Sequence, residues 1–516
     1  MQLSSLIVLT VPIVTITLAL ITKNAYISLI VGNFIGALIY CNFDFMNSCF
    51  FIVSTLQESL SGNNISVLIF LVILGAIVVL INKTNVSMLY TGLIGGKIKT
   101  KRGILLLTSI LSSFFFLDDY FNCLTTGSIV APLARHKKVF PGRVAHVIHS
   151  TAIPVCILVP ISSWAAAISS TLSDSGASDG LALFTRLIPY NFYAILSVFS
   201  VFAVSFFDIS FFAMKKEEKK YIRNIVEEKN KLINSAEADL SANTENSALK
   251  CGLVKDFVLK LVLPLVFLIV SCVFCLLYTG GITKGNNFLQ ALSCCDSSKG
   301  LLLGSIFTFV FMFFLYVFIL KAIKFRNFFD SITDGLKEMS SAIIILTLAW
   351  TLGTITSKYL KIGSLICDIL KNNLSVLTFV PVLLFLFSAA LSLATGTSWG
   401  TFAILIPVAY PVLHSQENTS ILLASLAAIL SGAAFGDNAS PISDTTIMSA
   451  TSAGCEPLIH SFTQLPYAVV NALISIFCFI LAGFIKNATL IILVALLMLT
   501  LVLFFIKKYC HYSYNT

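Results

Sequence analysis

Runs of about twenty consecutive, mostly apolar residues recur along this chain, and nothing else in the sequence limits its fold so strongly. Leu3 to Thr22, 63–83 and 488–506 are three of them. About twenty residues are what a helix needs to cross roughly 30 Å of hydrocarbon. Every backbone polar group must be satisfied internally there, so only helices and closed barrels span. A barrel would alternate apolar and polar residues, and these runs are continuous. The expected fold class is therefore an all-α polytopic membrane protein. Hydrophobic residues make up 57% of the chain and charged residues 11%, too few to cover a soluble protein of 516 residues. In a soluble chain the net charge of +9 would point to nucleic acid. Here the basic residues cluster in short connecting segments, as the positive-inside rule expects, so no nucleic-acid partner is implied. Leu3 to Thr22 lacks a basic start and reads as a membrane helix, not a cleaved signal. The 13 cysteines are scattered and form no disulfide framework. Cys272 and Cys275 make a C-x-x-C in mid-span without histidine partners, which favours packing over zinc.

Eleven crossings are expected, at about 3–22, 26–45, 63–83, 144–170, 184–213, 257–279, 300–323, 333–356, 419–450, 465–486 and 488–506. Two longer runs, 103–134 and 376–413, are interrupted. The first is flanked by bases on both sides: Lys97, Lys99, Lys101 and Arg102 before it, and Arg135, His136, Lys137, Lys138 and Arg143 after it. A single crossing would strand one basic flank. A re-entrant hairpin with its tip at Asp118 and Asp119 avoids this, since fifteen helical residues reach roughly 22 Å, deep but not through. Residues 214–256 are the long hydrophilic stretch, rich in Lys and Glu. They read as a partly helical cytoplasmic linker between a first transmembrane half, 1–213, and a second, 257–516, with a cytoplasmic tail.

The halves align as repeats. Thr126 falls on Thr401, Pro132 on Pro407, Pro160 on Pro441 and Gly75 on Gly353, all at offsets close to 278 residues. The connection after the first hairpin is strongly basic, whereas 410–420 has no Lys or Arg, so the repeats are expected to be inverted. Inverted repeats with interrupted helices near the midplane are a secondary-transporter architecture. The charge pattern puts the N-terminus outside and the C-terminus inside, in what reads as a bacterial cytoplasmic membrane. One cluster, Lys358, Lys361 and Lys371, falls on the outer side against this rule.

Four polar interruptions carry the chemistry. They are Asp118, Asp119, Asn122, Thr125 and Thr126; Pro160, Ser162, Ser163 and Trp164; Thr395, Gly396, Thr397, Ser398 and Trp399; and Asp437, Asn438, Ser440, Ser443, Asp444, Thr445 and Thr446. Gly and Pro stop the helix, and small hydroxyls re-satisfy the backbone. An ionised Asp at membrane depth costs roughly 2.5–3.5 kcal/mol, so four would cost on the order of 10 kcal/mol. No Lys or Arg lies within the interruptions, so the acids are expected to bind cations, hold protons, or do both. Na⁺ suits such hard oxygen ligands. Burial penalises the charged carboxylate and a bound cation favours it, so Na⁺ and H⁺ compete for one group. That competition exchanges Na⁺ for H⁺ by alternating access, with the ion site expected around Asp437 and the Asp118–Asp119 pair. Asp118, Asp119, Asn122, Asp437, Asn438 and Asp444 are the candidate ion- and proton-binding residues. Thr126, Ser162, Ser163, Thr395, Thr397, Ser398, Ser440, Ser443 and Thr445 are supporting polar ligands. Of Asp118 and Asp119, one is expected to face the site and the other to cap a helix. Asp444 is either a ligand or a cap. His149 is a candidate proton relay with core packing as the alternative, and His146 an interfacial residue. Glu456, His460 and Gln464 are read as lining an exit or capping a helix.

The motifs DDYFN from Asp118, GTSWGT from Gly396, FGDNASPISDTT from Phe435, and Gly454–Cys455 through Thr463 to Tyr467 resemble the NhaC family of Na⁺/H⁺ antiporters. The likeness spans about residues 60–480. Members typically carry His where this chain has Asn438. The family also includes exchangers of small organic acids of the malate–lactate type. The resemblance therefore implies a Na⁺/H⁺ antiporter, with a cation-coupled carrier of organic acids or amino acids as the alternative. An organic anion would want a nearby base, and Arg135 is the nearest in sequence. No nucleotide loop, nucleophile elbow or zinc spacing is present, so no enzyme and no cofactor beyond transported Na⁺ and H⁺ are expected. The lipid bilayer is the expected partner, and a homo-oligomer is compatible with the class.

Overall fold

The computed structural model describes residues 7–8, 10–22, 24–84, 100–234, 255–256, 258–285, 287, 291, 295–361, 377–414 and 419–512. Among these residues the chain is helical and carries no β-strand. Six helices are each long and apolar enough to cross a membrane, and four bent helix pairs pass the same test together. The protein is an integral membrane protein.

The first expected crossing is seen as α1, Thr10–Thr22, and the second as α2, Ala25–Tyr40. The chain then turns sharply into α3, Phe45–Ser59, at 119° to α2. The sequence reading missed α3 because its polar residues Asn47, Ser54, Gln57 and Glu58 interrupt the apolar run. Asp44 caps it by accepting from the Asn47 N–H at 3.0 Å. Glu58 near its end pairs with Lys358 at 2.5 Å, so one of the misplaced basic residues is locally neutralised. Lys371 of that cluster lies outside the described residues, as do Lys97 and Lys99.

α4, Asn63–Lys83, leads to the first hairpin, α5 Lys101–Phe114 and α6 Asp119–His136. Next come α7, Pro141–Leu158, and α8, Ser163–Asp174, two halves of a span bent by 47°. α9, Gly180–Leu187, and α10, Phe192–Phe207, return the chain. The expected linker opens as a helix, α11, Phe212–Asn234, and its central part lies outside the described residues. α11 is tied to the bundle by charge. Arg143, 1% exposed, reaches Asp208 at 3.1 Å and Glu218 at 3.5 Å, and Lys101 also pairs with both acids.

The second half runs α12 Leu263–Thr279, α13 Ser297–Phe313, α14 Phe325–Thr354, the hairpin α15 Val380–Thr395 and α16 Ser398–His414, α17 Thr419–Ala439, α18 Asp444–Ala453, α19 Pro457–Phe484 and α20 Ala488–Tyr512. α14 begins eight residues before the expected crossing at 333. α19 begins eight before 465, because Pro457 opens it in the first turn, where a missing N–H costs nothing.

The helix starts sharpen the repeat. α6 begins at Asp119 and α16 at Ser398, so counted from these N-termini Pro132 falls on Pro411, one turn beyond Pro407. α8 and α18 begin at Ser163 and Asp444, each capped by the preceding serine. Both caps also reach back six residues: Ser162 Oγ to the Cys156 carbonyl at 2.6 Å, Ser443 Oγ to Asp437 Oδ1 at 2.5 Å. Second half-helices pair across the repeats. α6 packs on α18, where Ser452 Oγ donates to the Cys123 carbonyl at 2.8 Å, and both run on towards Arg135 and Gly454. α8 packs on α16 through Trp164 and Trp399, with ring centroids 5.9 Å apart. These pairings tie each broken span to the hairpin of the other repeat.

Candidate functional site

The four interruptions meet inside the protein. Tip and break of the first repeat are joined where the Ser163 N–H donates to the Leu117 carbonyl at 2.8 Å and Ser163 Oγ to Asp118 Oδ2 at 2.9 Å. In the second repeat the Ser398 N–H and Oγ donate to Asp437 Oδ2 at 3.1 and 2.9 Å. The arrangement is crossed. In the first repeat the acid stands on the hairpin and the serine on the broken span; in the second the acid stands on the span and the serine on the hairpin. Each serine is the first residue of its half-helix and is followed by a tryptophan, so each carboxylate faces the positive end of a helix dipole.

Asp437 is the most heavily contacted acid. Besides Ser398, its Oδ1 accepts from Ser443 Oγ at 2.5 Å and from Thr445 Oγ1, and His149 Nε2 lies 3.6 Å away. Asp118 and Asp119 divide their work. Asp118 caps α6, taking the Phe121 N–H on Oδ1 at 2.9 Å and Ser163 on Oδ2. Asp119 is 1% exposed and its Oδ1 has no hydrogen-bond partner. Asp119 lies within electrostatic reach of both Asp118 and Asp437. Asp444 is exposed on the first turn of α18, within electrostatic reach of Asp437, and the cap there is Ser443. Among the described residues no Lys or Arg pairs with any of these four acids. Nor do three His, Cys, Asp or Glu side chains converge tightly enough to hold a metal ion by themselves.

The supporting residues fall into two groups. Some pin backbone. Asn122 holds the two limbs of the first hairpin together through Ser112, donating to its carbonyl at 2.6 Å and accepting from its Oγ at 2.7 Å. Thr126 Oγ1 donates to Asn122 at 3.1 Å, Thr395 to the Leu391 carbonyl at 2.8 Å and Ser440 to the Leu393 carbonyl at 3.0 Å, while Thr397 accepts from the Gly400 N–H at 3.3 Å. The others, Ser163, Ser398, Ser443 and Thr445, touch the acids. Asn438 donates to the Tyr193 hydroxyl at 3.1 Å and leaves its own Oδ1 unpartnered.

His149 is fully buried beside Asp437 and at the centre of a polar cluster. Gln464 Nε2 donates to the Asn438 carbonyl and to His149 Nδ1, each at 2.9 Å. Nδ1 of the neutral ring is then an acceptor, and its Nε2–H faces Thr445 at 3.0 Å and Asp437 beyond. His460 Nε2 stands 3.2 Å from His149 Nδ1. His460 and Gln464 are thus buried in the centre, not at an exit or a cap as expected. His146 is buried too, its ring centroid 4.2 Å from that of Tyr467 and tilted by 37°, and is not interfacial. His460 and Gln464 share a face with Tyr467 on α19, and that i, i+4 and i+7 spacing is the signal that would have placed them. Tyr193 and Ser112 gave no signal, being single polar residues in apolar runs. A cavity of about 440 Å³ lined by Asn82, Thr125, Ser128, Thr451 and Ser452 opens between α4, α6 and α18.

A model described as the Na⁺/H⁺ antiporter family matches residues 175–484. An uncharacterised protein of Haemophilus influenzae is 29% identical over 512 residues, covering 96% of this chain and 94% of its own. An uncharacterised Na⁺/H⁺ antiporter of the same organism is 30% identical over 150 residues, 28% of this chain and 31% of its own. The malate-2H⁺/Na⁺-lactate antiporter of Bacillus subtilis is 27% identical over 167 residues, 31% of this chain and 34% of its own.

Proposed function

Because this chain belongs to the Na⁺/H⁺ antiporter family, and is on that ground a cation-coupled membrane transporter, we propose that it exchanges Na⁺ for H⁺ by alternating access at the Asp437–Asp119 site. The observation that carries the reading is Asp119: a carboxylate 1% exposed, with an unpartnered oxygen and no Lys or Arg beside it. Buried acceptors are normally satisfied. Asp119 Oδ1, Asn438 Oδ1 and Gln464 Oε1 are acceptors here that a cation or proton would complete. Ser398, Ser443 and Thr445 would add hydroxyl oxygens once their protons turn away, and the His149 Nε2–H facing Asp437 would favour its charged form. An empty, charged site resists reorientation, while Na⁺ or H⁺ neutralises it. The basic ends of α5, α6 and α20 lie on one side, which the positive-inside rule assigns to the cytoplasm, in keeping with a C-terminus inside.

Purified protein in liposomes containing a pH dye tests this. Addition of external Na⁺ alone should raise the lumenal pH. Because H⁺ and Na⁺ compete, the Na⁺ concentration for half-maximal response should rise towards tenfold per pH unit as the pH falls into the range where the proton holds the site. A response that requires an added organic acid would sink the reading in favour of carboxylate exchange, which the name of the Bacillus subtilis relative suggests. Against that alternative, Arg135 stands sixteen residues along α6 from Asp119, roughly 24 Å of helix. Ser398→Ala keeps the backbone N–H but removes one donor to a charged group, and should weaken the half-maximal Na⁺ concentration roughly tenfold with folding intact.

A further inference from the structure

Away from the ion site, an apolar groove of about 480 Å³ runs between α10 and α20. Phe199, Ala203 and Phe207 line one wall, Leu503 and Phe504 the other, and Lys507 and Lys508 close one end. Lys507 Nζ lies 4.9 Å from the centroid of the Phe207 ring, across the mouth. A second cavity of about 400 Å³ adjoins it, sharing Phe207, Ile209 and Lys507, and is bounded by Lys101, Arg102, Lys215 and Lys219. At their junction stand Lys507, Lys508 and Arg102, while the two acids there, Asp208 and Glu218, both pair with Lys101. Both acids are already engaged from behind by the buried Arg143. A groove lined by the exposed rings of Phe199, Phe207 and Phe504 thus ends on a basic rim.

We infer that this groove and its rim form a binding site for an anionic phospholipid of the leaflet at the basic end of the bundle. The acyl chain lies against Phe199, Ala203 and Leu503, and the phosphate sits among Lys507, Lys508 and Arg102. A zwitterionic lipid offers the same chains, but its headgroup adds a cation where the rim is already positive. Basic pockets between transmembrane helices select anionic headgroups for this reason. The rim is built from α5, α11 and α20, so a bound headgroup bridges the linker helix to both halves.

The test reads lipid retention and needs no transport, so it stands or falls independently of the antiporter reading. Delipidated protein is titrated with dioleoyl phosphatidylglycerol, with dioleoyl phosphatidylcholine and with inorganic phosphate, and bound lipid is counted by native mass spectrometry. One phosphatidylglycerol should be retained in preference to phosphatidylcholine, and phosphate should not compete it away at equal concentration. The double variant Lys507→Gln, Lys508→Gln changes exposed or half-buried side chains and should melt like the parent. It should lose phosphatidylglycerol affinity roughly tenfold or more, with phosphatidylcholine unaffected. Ala203→Trp, which fills the groove and leaves the lysines in place, should also lower it. Equal retention of the two lipids, or an unchanged double variant, would overturn the site. Competition by phosphate as strong as by the lipid would show an anion site without a lipid.

Discussion

Asp437→Asn should fold and abolish Na⁺-driven proton movement. The prediction is strict because every neighbour of this carboxylate donates. Oδ2 takes two donors from Ser398, one of them a backbone N–H that cannot turn away. Oδ1 takes the hydroxyls of Ser443 and Thr445, which can rotate and accept. An asparagine would place its oxygen towards Ser398 and its NH₂ towards the two hydroxyls, keeping the packing and the hydrogen bonds while losing the charge. A unit charge about 4 Å from a cation is worth about 4 kcal/mol at an effective dielectric of 20, equivalent to about a thousandfold in affinity. The variant should therefore melt within a few degrees of the parent and give no dye response at Na⁺ concentrations that saturate the parent. Retained exchange would remove Asp437 from the ion site and leave Asp119 to carry it.

The contrast between these two acids shows what sequence could and could not deliver. The apolar helices and the breaks between them follow from apolar run length and from Gly and Pro, because lipid leaves the backbone few choices. The interrupted stretches could be seen to hold acids without partners. Which of Asp118 and Asp119 caps α6 could not, since sequence alone does not say at which of the two the helix begins, and an aspartate at either place can accept from its first N–H groups. The crossed Ser–Asp ties were hidden for another reason. In an alignment anchored on Pro132 and Pro407 the second hairpin slips by a turn, and Ser398 then falls on Cys123 instead of Asp119. His149 and His460 meet across 311 residues, a contact for which no local pattern exists. The α3 turn was lost because an amphipathic helix lacks the continuous apolar run that identifies a span.

Gly436→Val should fail to yield a stable protein, and Gly436→Ala should yield one that melts lower and exchanges poorly. Gly436 directly precedes Asp437 on α17, where that helix runs against α15 with almost no side-chain layer between them. A Cβ at Gly436 would lie 2.5 Å from the Ala389 carbonyl oxygen and 2.6 Å from Ser392 Cβ. One turn earlier, a Cβ at Gly432 would lie 2.4 Å from the Phe385 carbonyl oxygen. Small residues four apart let helix backbones approach closely in membranes. The approach is fastened by Ser388 Oγ donating to the Ile429 carbonyl at 2.5 Å and Ser392 Oγ to the Ala433 carbonyl at 2.7 Å. The nearest atoms are backbone and Cβ, which cannot swing aside, so even a methyl group must push the helices apart by several tenths of an ångström. Overpacking of this kind costs about 1–3 kcal/mol, and the two further methyls of valine add to it. The same displacement would stretch both serine bonds and carry Asp437 away from Ser398 on the neighbouring hairpin, so stability and exchange should fall together. The check is melting temperature and dye response measured on one preparation of each variant. A Gly436→Val protein that melts and exchanges like the parent would show that α15 and α17 do not hold the second hairpin tip on Asp437.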